Sequence, residues 1–227
     1  MKDIILLHGA IGAEDQLLTL AEHLTQKKFK VHHFSFCGHG GRAFAANFGI
    51  EQFAAELYQY ILERNLLQVN IFGYSMGGYV ALYLESQKPN LIGKMATLAT
   101  KFDWTPEGAV KEAAMLNPET IQQKVPNFAQ ALQQRHGEQW VELLNKTAAM
   151  MQELGKEPLL TDELLKTIES PVLLGLGDKD SMVSLEETRK VYAALPKANM
   201  YMLPNTKHPI EGVKTELLAT ILADYFG

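Results

Sequence analysis

Short apolar runs alternate with longer amphipathic stretches along this chain, and the alternation constrains the fold more than any other feature of the sequence. Each run has the length and residue types of a buried strand, and the stretches between the runs repeat apolar residues at helical spacing. Strand–helix–strand units repeated in this way build a parallel sheet with helices on both faces. We therefore predict an α/β protein, a three-layer α/β/α sandwich around a mostly parallel sheet of about six strands. The predicted strands cover residues 3–7, 30–34, 69–72, 94–98, 171–176 and 199–203.

The alternation stops after residue 98, because no strand-like run follows until residue 171. The intervening segment is rich in helix formers, and it is divided by Pro106, Pro118, Pro126 and Pro158. Proline is tolerated in the first turn of a helix and not in its interior, so we predict several separate helices here. A chain of 227 residues has the length of one ordinary domain that carries such an insertion.

A glycine-rich segment directly follows the third predicted strand and directly precedes a predicted helix. Residues 73–78 read Gly-Tyr-Ser-Met-Gly-Gly, which is G-x-S-x-G between a strand and a helix. In so tight a turn the serine takes strained backbone geometry, and side chains two residues before and after it would collide. The alternative is a glycine-rich turn whose serine merely caps the helix. The context on both sides favours Ser75 as a nucleophile.

With this motif in its strand–turn–helix context, the chain resembles the α/β-hydrolase fold family, and the resemblance covers nearly all of its length. The resemblance implies an esterase-like serine hydrolase with a helical cap over the nucleophile. It divides the chain into a core, residues 1–101 and 166–227, and an inserted cap, residues 102–165. Family members usually carry a hairpin before the first strand. We expect this N-terminal hairpin to be missing, because the first predicted strand begins at residue 3, and we expect residues 30–34 to form an exposed edge strand.

His208 and Asp180 are the predicted partners of Ser75. A serine hydroxyl needs a base within hydrogen-bond reach, and that base needs a carboxylate that orients it. The family order of nucleophile, acid and histidine points to His208, which follows the last predicted strand. The loop after residue 176 offers two acids; the family spacing favours Asp180, and Asp178 is then a turn residue of the same loop. Asp103, which follows the preceding strand, is a third option.

Two backbone amides are predicted to hold the oxyanion that forms when Ser75 attacks a carbonyl. The first belongs to Met76, the residue after the nucleophile. The second, by resemblance to the His-Gly oxyanion loop of the family, belongs to Ala10 in the sequence His-Gly-Ala-Ile-Gly of residues 8–12. We interpret His8 as a support for this loop and not as a base.

The remaining candidates for chemistry receive no catalytic role. His39 lies in a Gly-His-Gly-Gly turn after the second predicted strand and is interpreted as structural. Cys37 has no neighbour in sequence that would lower its pKa, so we do not predict a catalytic thiol. The histidines and acidic residues show no spacing typical of a metal site, and the chain has no dinucleotide fingerprint or P-loop. We expect neither a metal nor a cofactor.

Composition narrows the partners and the compartment. A formal net charge of −5 without a run of lysine and arginine disfavours nucleic acid, and no apolar segment reaches the ~20 residues of a membrane span. The single cysteine allows no intrachain disulfide, so we expect a cytoplasmic protein. A small-molecule acyl substrate is the predicted partner. The chain is expected to be a monomer, or a weak homodimer through its edge strand.

The leading hypothesis is hydrolysis of a small or medium, rather apolar carboxylic ester through an acyl-enzyme. A second hypothesis is a carbon–carbon bond hydrolase or a lyase similar to the menaquinone-precursor synthase. Its anionic substrates call for arginines, and the cap contains only Arg135. Two further hypotheses are a thioesterase or lactonase, which differs from an esterase only in the leaving group, and a non-catalytic small-molecule receptor. We expect the acyl pocket to be lined by apolar cap residues, namely Leu116, Phe128, Trp140, Met150 and Met151.

Overall fold

The computed structural model describes residues 1–227 and contains one sheet of six strands, each parallel to its neighbours. The strands are β1 (Lys2–Leu7), β2 (Phe29–His33), β3 (Val69–Tyr74), β4 (Ile92–Leu98), β5 (Val172–Gly177) and β6 (Ala198–Leu203). Their order across the sheet is β2-β1-β3-β4-β5-β6. The predicted α/β sandwich is confirmed, and each strand begins and ends within two residues of its prediction.

Ten α-helices connect and cover the strands. They are α1 (Leu18–Gln26), α2 (Ile50–Glu63), α3 (Met76–Gln87), α4 (Pro106–Ala114), α5 (Pro118–Lys124), α6 (Pro126–His136), α7 (Trp140–Lys156), α8 (Asp162–Leu165), α9 (Leu185–Ala194) and α10 (Thr215–Phe226). Short 3₁₀ helices occur at Glu14–Leu17, Gly137–Gln139 and Ile210–Gly212. None of these helices combines the length and the apolar character that crossing a membrane requires.

Different helices bury the two faces of the sheet. Successive side chains of a strand point to opposite faces. In β1, Ile4 and Leu6 pack in an apolar cluster with residues of α1 and α10, whereas Ile5 and Leu7 pack with residues of α2 and α3. All four side chains are fully buried, as expected in a parallel sheet that is covered on both faces. Because the strands are parallel, the loops that follow them all meet at one edge of the sheet, where ligands bind in open α/β sheets.

The segment between β4 and β5 forms the five helices α4 to α8. Pro106, Pro118 and Pro126 are the first residues of α4, α5 and α6, and Pro158 follows the end of α7. Thr105 also caps α4 by accepting a hydrogen bond from a backbone amide of its first turn. The predicted helical insertion therefore exists as helices separated at prolines. The division into a core and a cap at residues 102 and 165 stays a prediction.

The edge position predicted for the second strand is confirmed, since β2 pairs with β1 alone. Phe34, the residue after β2, stacks on Tyr60 of α2 with ring centroids 4.5 Å apart. Helix α2 therefore covers the C-terminal end of this strand. His32 in β2 is held by the carboxylate of Asp3 in β1, at 2.7 Å. Pairing of this edge with a second copy of the chain stays a prediction.

Candidate active site

Ser75 occupies a strained turn between β3 and α3. Its φ of 51° and ψ of −117° lie where residues with a side chain rarely occur. Two contacts explain the glycines around it: a Cβ on Gly73 would lie 2.5 Å from the carbonyl carbon and oxygen of Gly77, and a Cβ on Gly77 would lie 2.5 Å from the carbonyl oxygen of Leu7. The turn is held from β4, whose Leu98 carbonyl accepts from the Ser75 amide at 2.8 Å. The predicted elbow geometry is thus present.

His208 links Ser75 to Asp180. The Nε2 atom of His208 lies 3.4 Å from Ser75 Oγ, and its Nδ1 atom lies 2.9 Å from Asp180 Oδ2. Asp180 follows β5, and His208 follows β6, so two adjacent strands deliver the acid and the histidine to the same edge. The Tyr74 hydroxyl donates to the backbone carbonyl of His208 at 2.9 Å and holds its loop. The three residues form one continuous line of hydrogen-bonding side chains.

The carboxyl group of Asp180 is fully buried and stays ionised. Its Oδ1 atom accepts hydrogen bonds from the backbone amides of Met182 and Val183, at 2.8 and 2.9 Å. Burial acts to raise the pKa of Asp180, but the hydrogen bonds from His208 and from these amides outweigh it and hold the pKa below its usual value. A charged carboxylate at this position orients the imidazole and stabilises its protonated form.

The two other acids considered from sequence lie elsewhere. Asp178 is exposed, and its Oδ1 atom accepts from the backbone amide of Thr206 at 3.0 Å. It therefore ties the loop after β5 to the loop that carries His208, which is the turn role expected for it. Asp103 is exposed and has no hydrogen bond to His208. The geometry favours Asp180 over both.

The predicted oxyanion residues border the same cavity as the nucleophile. Ala10, Ser75, Met76 and His208 all line it. Met76 is the first residue of α3, where backbone N–H groups have no acceptor within the helix and the helix dipole favours negative charge. The loop of Ala10 approaches closely, because a Cβ on Gly9 would lie 3.4 Å from the Ser75 Cβ. Both amides are therefore near the position where an oxyanion would form.

His8 and His39 contact the oxyanion loop at its backbone carbonyl groups. His8 is fully buried; its Nδ1 atom lies 2.8 Å from the Gly9 carbonyl oxygen, and its Nε2 atom accepts from the Phe36 amide at 3.0 Å. His39 Nε2 lies 2.6 Å from the Ala10 carbonyl oxygen. Burial lowers the pKa of both histidines, that of His8 most strongly. Neither ring has a hydrogen bond to Ser75, which agrees with the supporting roles expected for them.

Cys37 has no role in this site. Burial raises the pKa of its thiol to about 11, and the neighbouring carboxylate of Glu56 acts in the same direction. The thiolate form, which is the nucleophile, is therefore rare at neutral pH. No group of three or more histidine, cysteine, aspartate or glutamate side chains is arranged to hold a metal ion.

The cavity at Ser75 is lined by 14 residues, of which 10 are hydrophobic. The four other lining residues are Ser75, His208, Lys101 and Glu112. Lys101 and Glu112 form an ion pair at 3.6 Å, and both side chains are mostly buried. Sequence reasoning missed both, because neither lies in a motif. The apolar lining residues are Ala10, Ile50, Met76, Tyr79, Trp104, Met150, Met151, Leu154, Met182 and Val183.

The predicted pocket lining was only partly correct. Met150 and Met151 line the cavity. Trp140 and Leu116 instead pack in a separate small apolar cluster made by α5, α6 and α7, and Phe128 is exposed to solvent. The prediction was wrong for these three residues, because an apolar helical face does not reveal whether it covers a cavity or a core within the insertion.

The chain is similar to a family model, to curated proteins and to solved structures. The model of a family described as alpha/beta hydrolase fold matches residues 3–158. The chain is 25% identical over 191 residues to the uncharacterized hydrolase YugF of Bacillus subtilis, covering 75% of this chain and 70% of that protein. It is 22% identical over 224 residues to the (E)-2-((N-methylformamido)methylene)succinate hydrolase of Acinetobacter baylyi, covering 92% and 84%. A solved structure of a thermophilic esterase from Thermogutta terrifontis superposes with a TM-score of 0.78 at 17% identity, over 100% of this chain and 89% of that chain.

Proposed function

Because this chain belongs to the α/β-hydrolase fold family, and the relatives described above are hydrolases, we propose that it cleaves a small or medium, rather apolar carboxylic ester through an acyl-enzyme. One observation carries the proposal: the hydrogen-bonded side chains of Ser75, His208 and Asp180 adjoin a cavity with a mainly hydrophobic lining. An apolar lining with few polar groups suits the acyl chain of such an ester.

The reaction follows from the positions of these groups. Ser75 Oγ attacks the ester carbonyl carbon while His208 Nε2 accepts the hydroxyl proton. The resulting oxyanion accepts hydrogen bonds from the Ala10 and Met76 amides. His208 then donates its proton to the leaving alkoxide, and the alcohol departs from an acyl-Ser75. Water, deprotonated by His208, attacks the acyl carbon, and His208 returns the proton to Ser75 as the carboxylic acid leaves.

Fluorophosphonate labelling tests the nucleophile. Such a probe phosphonylates an activated serine, so we expect one adduct on the wild-type protein and none on Ser75→Ala in intact-protein mass spectra. Ser86→Ala, at a serine near the end of α3, is the matched control and should label like the wild type. An unlabelled wild-type protein, or equal labelling of Ser75→Ala, would show that Ser75 is not the nucleophile.

A panel of p-nitrophenyl esters with acyl chains of graded length tests the substrate class. We expect turnover of short and medium chains and a decline once the chain exceeds the cavity. Thioesters and lactones of the same acyl groups belong in the panel, because they share the acyl-enzyme and differ only in the leaving group. Saturable binding of these compounds without any product would instead indicate a receptor.

A second candidate is hydrolysis of a substrate that carries a carboxylate, including cleavage of a carbon–carbon bond. The observation that favours it is Lys101, a positively charged residue among those that line the cavity. Glu112 opposes it, because its carboxylate lies 3.6 Å from the same ammonium group and repels a second anion. Arg135, the arginine weighed from sequence, binds Asp15 and does not line the cavity.

Matched esters separate the two candidates. The p-nitrophenyl esters of butyric acid and of succinic acid have acyl chains of equal length and differ in one terminal carboxylate. If the first candidate is correct, the wild-type protein prefers butyrate, and Lys101→Met changes this preference little. A preference for the succinate ester that Lys101→Met abolishes would establish the second candidate.

A further inference from the structure

Three successive carbonyl groups of the oxyanion loop each contact a different histidine. The Gly9 carbonyl oxygen lies 2.8 Å from His8 Nδ1, and the Ala10 carbonyl oxygen lies 2.6 Å from His39 Nε2. The third contact joins the Ile11 carbonyl oxygen to His136 Nε2 at 3.0 Å. We call His8, His39 and His136 the histidine clamp. Two of its members belong to the N-terminal part of the chain, whereas His136 comes from α6 in the insertion.

The contacts of His136 define its tautomer. Its Nδ1 atom accepts a hydrogen bond from the Gly40 amide at 3.0 Å, so the ring proton must be on Nε2, which donates to Ile11. The ring is buried, and burial lowers the pKa of His136 to about 4. At neutral pH it is therefore a neutral imidazole with one donor and one acceptor, both used by backbone groups.

Two peptide planes connect His136 to the Ala10 amide. In a planar trans peptide, the carbonyl group and the following N–H group point in opposite directions. A donor on the Ile11 carbonyl therefore orients the Gly12 N–H, which donates to the Gly9 carbonyl oxygen at 3.1 Å. The Gly9 carbonyl in turn shares its peptide plane with the Ala10 N–H, the predicted oxyanion donor.

The neighbours of His136 strengthen the attachment of α6 to this region. Arg135 Nε donates to the carboxylate of Asp15 at 3.0 Å, and its guanidinium lies 3.7 Å from Glu211, three residues after His208. Gln139 Nε2 donates to the backbone carbonyl of Arg42 at 2.6 Å. The end of α6 thus binds the oxyanion loop, the turn of residues 38–42 and the loop of His208.

We propose that His136 is a positioning residue of the oxyanion hole: its hydrogen bond to Ile11 orients the loop so that the Ala10 amide meets the oxyanion. This inference rests on the proposed ester hydrolysis. A misplaced donor weakens stabilisation of the transition state more than binding of the ester, so loss of His136 lowers kcat and leaves KM nearly unchanged. The insertion then completes the catalytic machinery in addition to covering it.

Three variants test the proposal with an ester that the wild-type protein turns over. His136→Ala is expected to lower kcat about 10- to 100-fold, with KM within about twofold of the wild type. His136→Gln supplies a donor and an acceptor in one amide, and should recover kcat to within about fivefold. Leu222→Ala is the control, because Leu222 of α10 is equally buried and packs in an apolar cluster that includes no residue of the oxyanion loop. It should lower the thermal midpoint while leaving kcat nearly unchanged.

The outcomes separate this proposal from the proposed function. A wild-type protein without ester turnover or serine labelling contradicts the proposed function. An active wild type together with a folded His136→Ala of equal kcat contradicts the positioning role, as does an equal loss of kcat in Leu222→Ala. If His136→Ala does not fold, His136→Leu, which fills the volume but has no donor, replaces it, with the same loss of kcat expected.

Discussion

The histidines on the two sides of Ser75 form two contrasting environments. His208 contacts a hydroxyl on one ring nitrogen and a buried carboxylate on the other, and its ring retains some exposure to solvent. The histidine clamp contacts backbone carbonyls and amides, and its rings are fully or almost fully buried. Histidines on the two sides of Ser75 thus differ in their hydrogen-bond partners, which are side chains for His208 and backbone groups for the clamp.

The partners of each ring explain the difference. A carboxylate stabilises the positive charge that an imidazole acquires as a base, so the His208 site tolerates a change of protonation state. Backbone carbonyls and amides in a dry interior do not compensate for that charge, and burial lowers the pKa of all three clamp histidines. In His8 and His136, one ring nitrogen accepts from a backbone amide and the other faces a carbonyl oxygen, so each of these two rings holds one tautomer, which suits orientation of a loop.

Removal of His208, the proposed base, should have the largest effect on activity. We expect His208→Gln to lower kcat for ester cleavage at least about 10⁴-fold, because Ser75 then has no group to accept its proton. The thermal midpoint should change much less than kcat, since the glutamine amide can still donate to the buried carboxylate of Asp180. Steady-state kinetics and thermal unfolding on the same preparation measure both effects. A loss below about tenfold would mean that His208 is not the base.

The carboxylate partner of His208 is the next test. Asp180→Asn should lower kcat about 10³- to 10⁴-fold, because an amide neither fixes the required tautomer nor stabilises the imidazolium. Asp178→Asn is the matched control two residues away; it keeps an acceptor for the Thr206 amide and should lose less than about tenfold. If the two variants lose equal activity, the assignment of Asp180 as the acid is wrong.

The clamp should make folding sensitive to mild acid. Because the pKa of His136 is about 4 when folded and about 6.5 ordinarily, the unfolded chain binds a proton between these values that the folded chain excludes. Stability is therefore complete above pH 6.5 and falls as the pH decreases towards 4. Arg135, His39 and Asp15 are the charged or titratable groups that act on this ring.

Urea unfolding at pH 7, 6 and 5 measures this effect. Each buried histidine contributes up to about 1.4 kcal/mol of unfolding free energy per pH unit in this window. His136→Gln removes one contribution and should flatten the dependence by about that amount. A wild-type stability that stays constant from pH 7 to pH 5 would contradict neutral burial of the clamp.

The smallest expected effect concerns the stability that the strained backbone at Ser75 costs. Ser75→Gly removes the nucleophile but also relieves the positive φ of residue 75. Backbone strain of this kind costs about 1–3 kcal/mol, and the added freedom of an unfolded glycine returns part of it, so we expect a gain of about 1 kcal/mol in stability. Urea unfolding at pH 7 against Ser75→Ala, which keeps the strain, measures the gain. Equal stabilities would argue that the turn is not strained.

The sequence predicted the fold and the local parts of the site for clear physical reasons. Strands, the turn at Ser75 and the loop of residues 8–12 have patterns that a few neighbouring residues determine. Ser75, Asp180, His208, Ala10 and Met76 therefore meet in the structure as expected, although their catalytic roles stay predictions.

Contacts made by the insertion could not be predicted. His136 and Ile11 are 125 residues apart, and no local motif marks His136. Lys101 and Glu112 become neighbours only because α4 folds back beside the end of β4. For Trp140, the helical pattern indicated burial correctly but not the surface that buries it.

The attachment of α6 has a consequence for the order of assembly. Ser75 contacts His208 across 133 residues, and Ile11 contacts His136 across 125, so each contact requires most of the chain to be in place. Contacts between residues so distant in sequence form late, because closing such loops has a high entropic cost. The first hundred residues include Ser75 and the loop of residues 8–12, yet they lack Asp180, His208 and His136 during synthesis. Hydrolytic activity should therefore appear only with the completed chain, and ester turnover can serve as a strict measure of refolding.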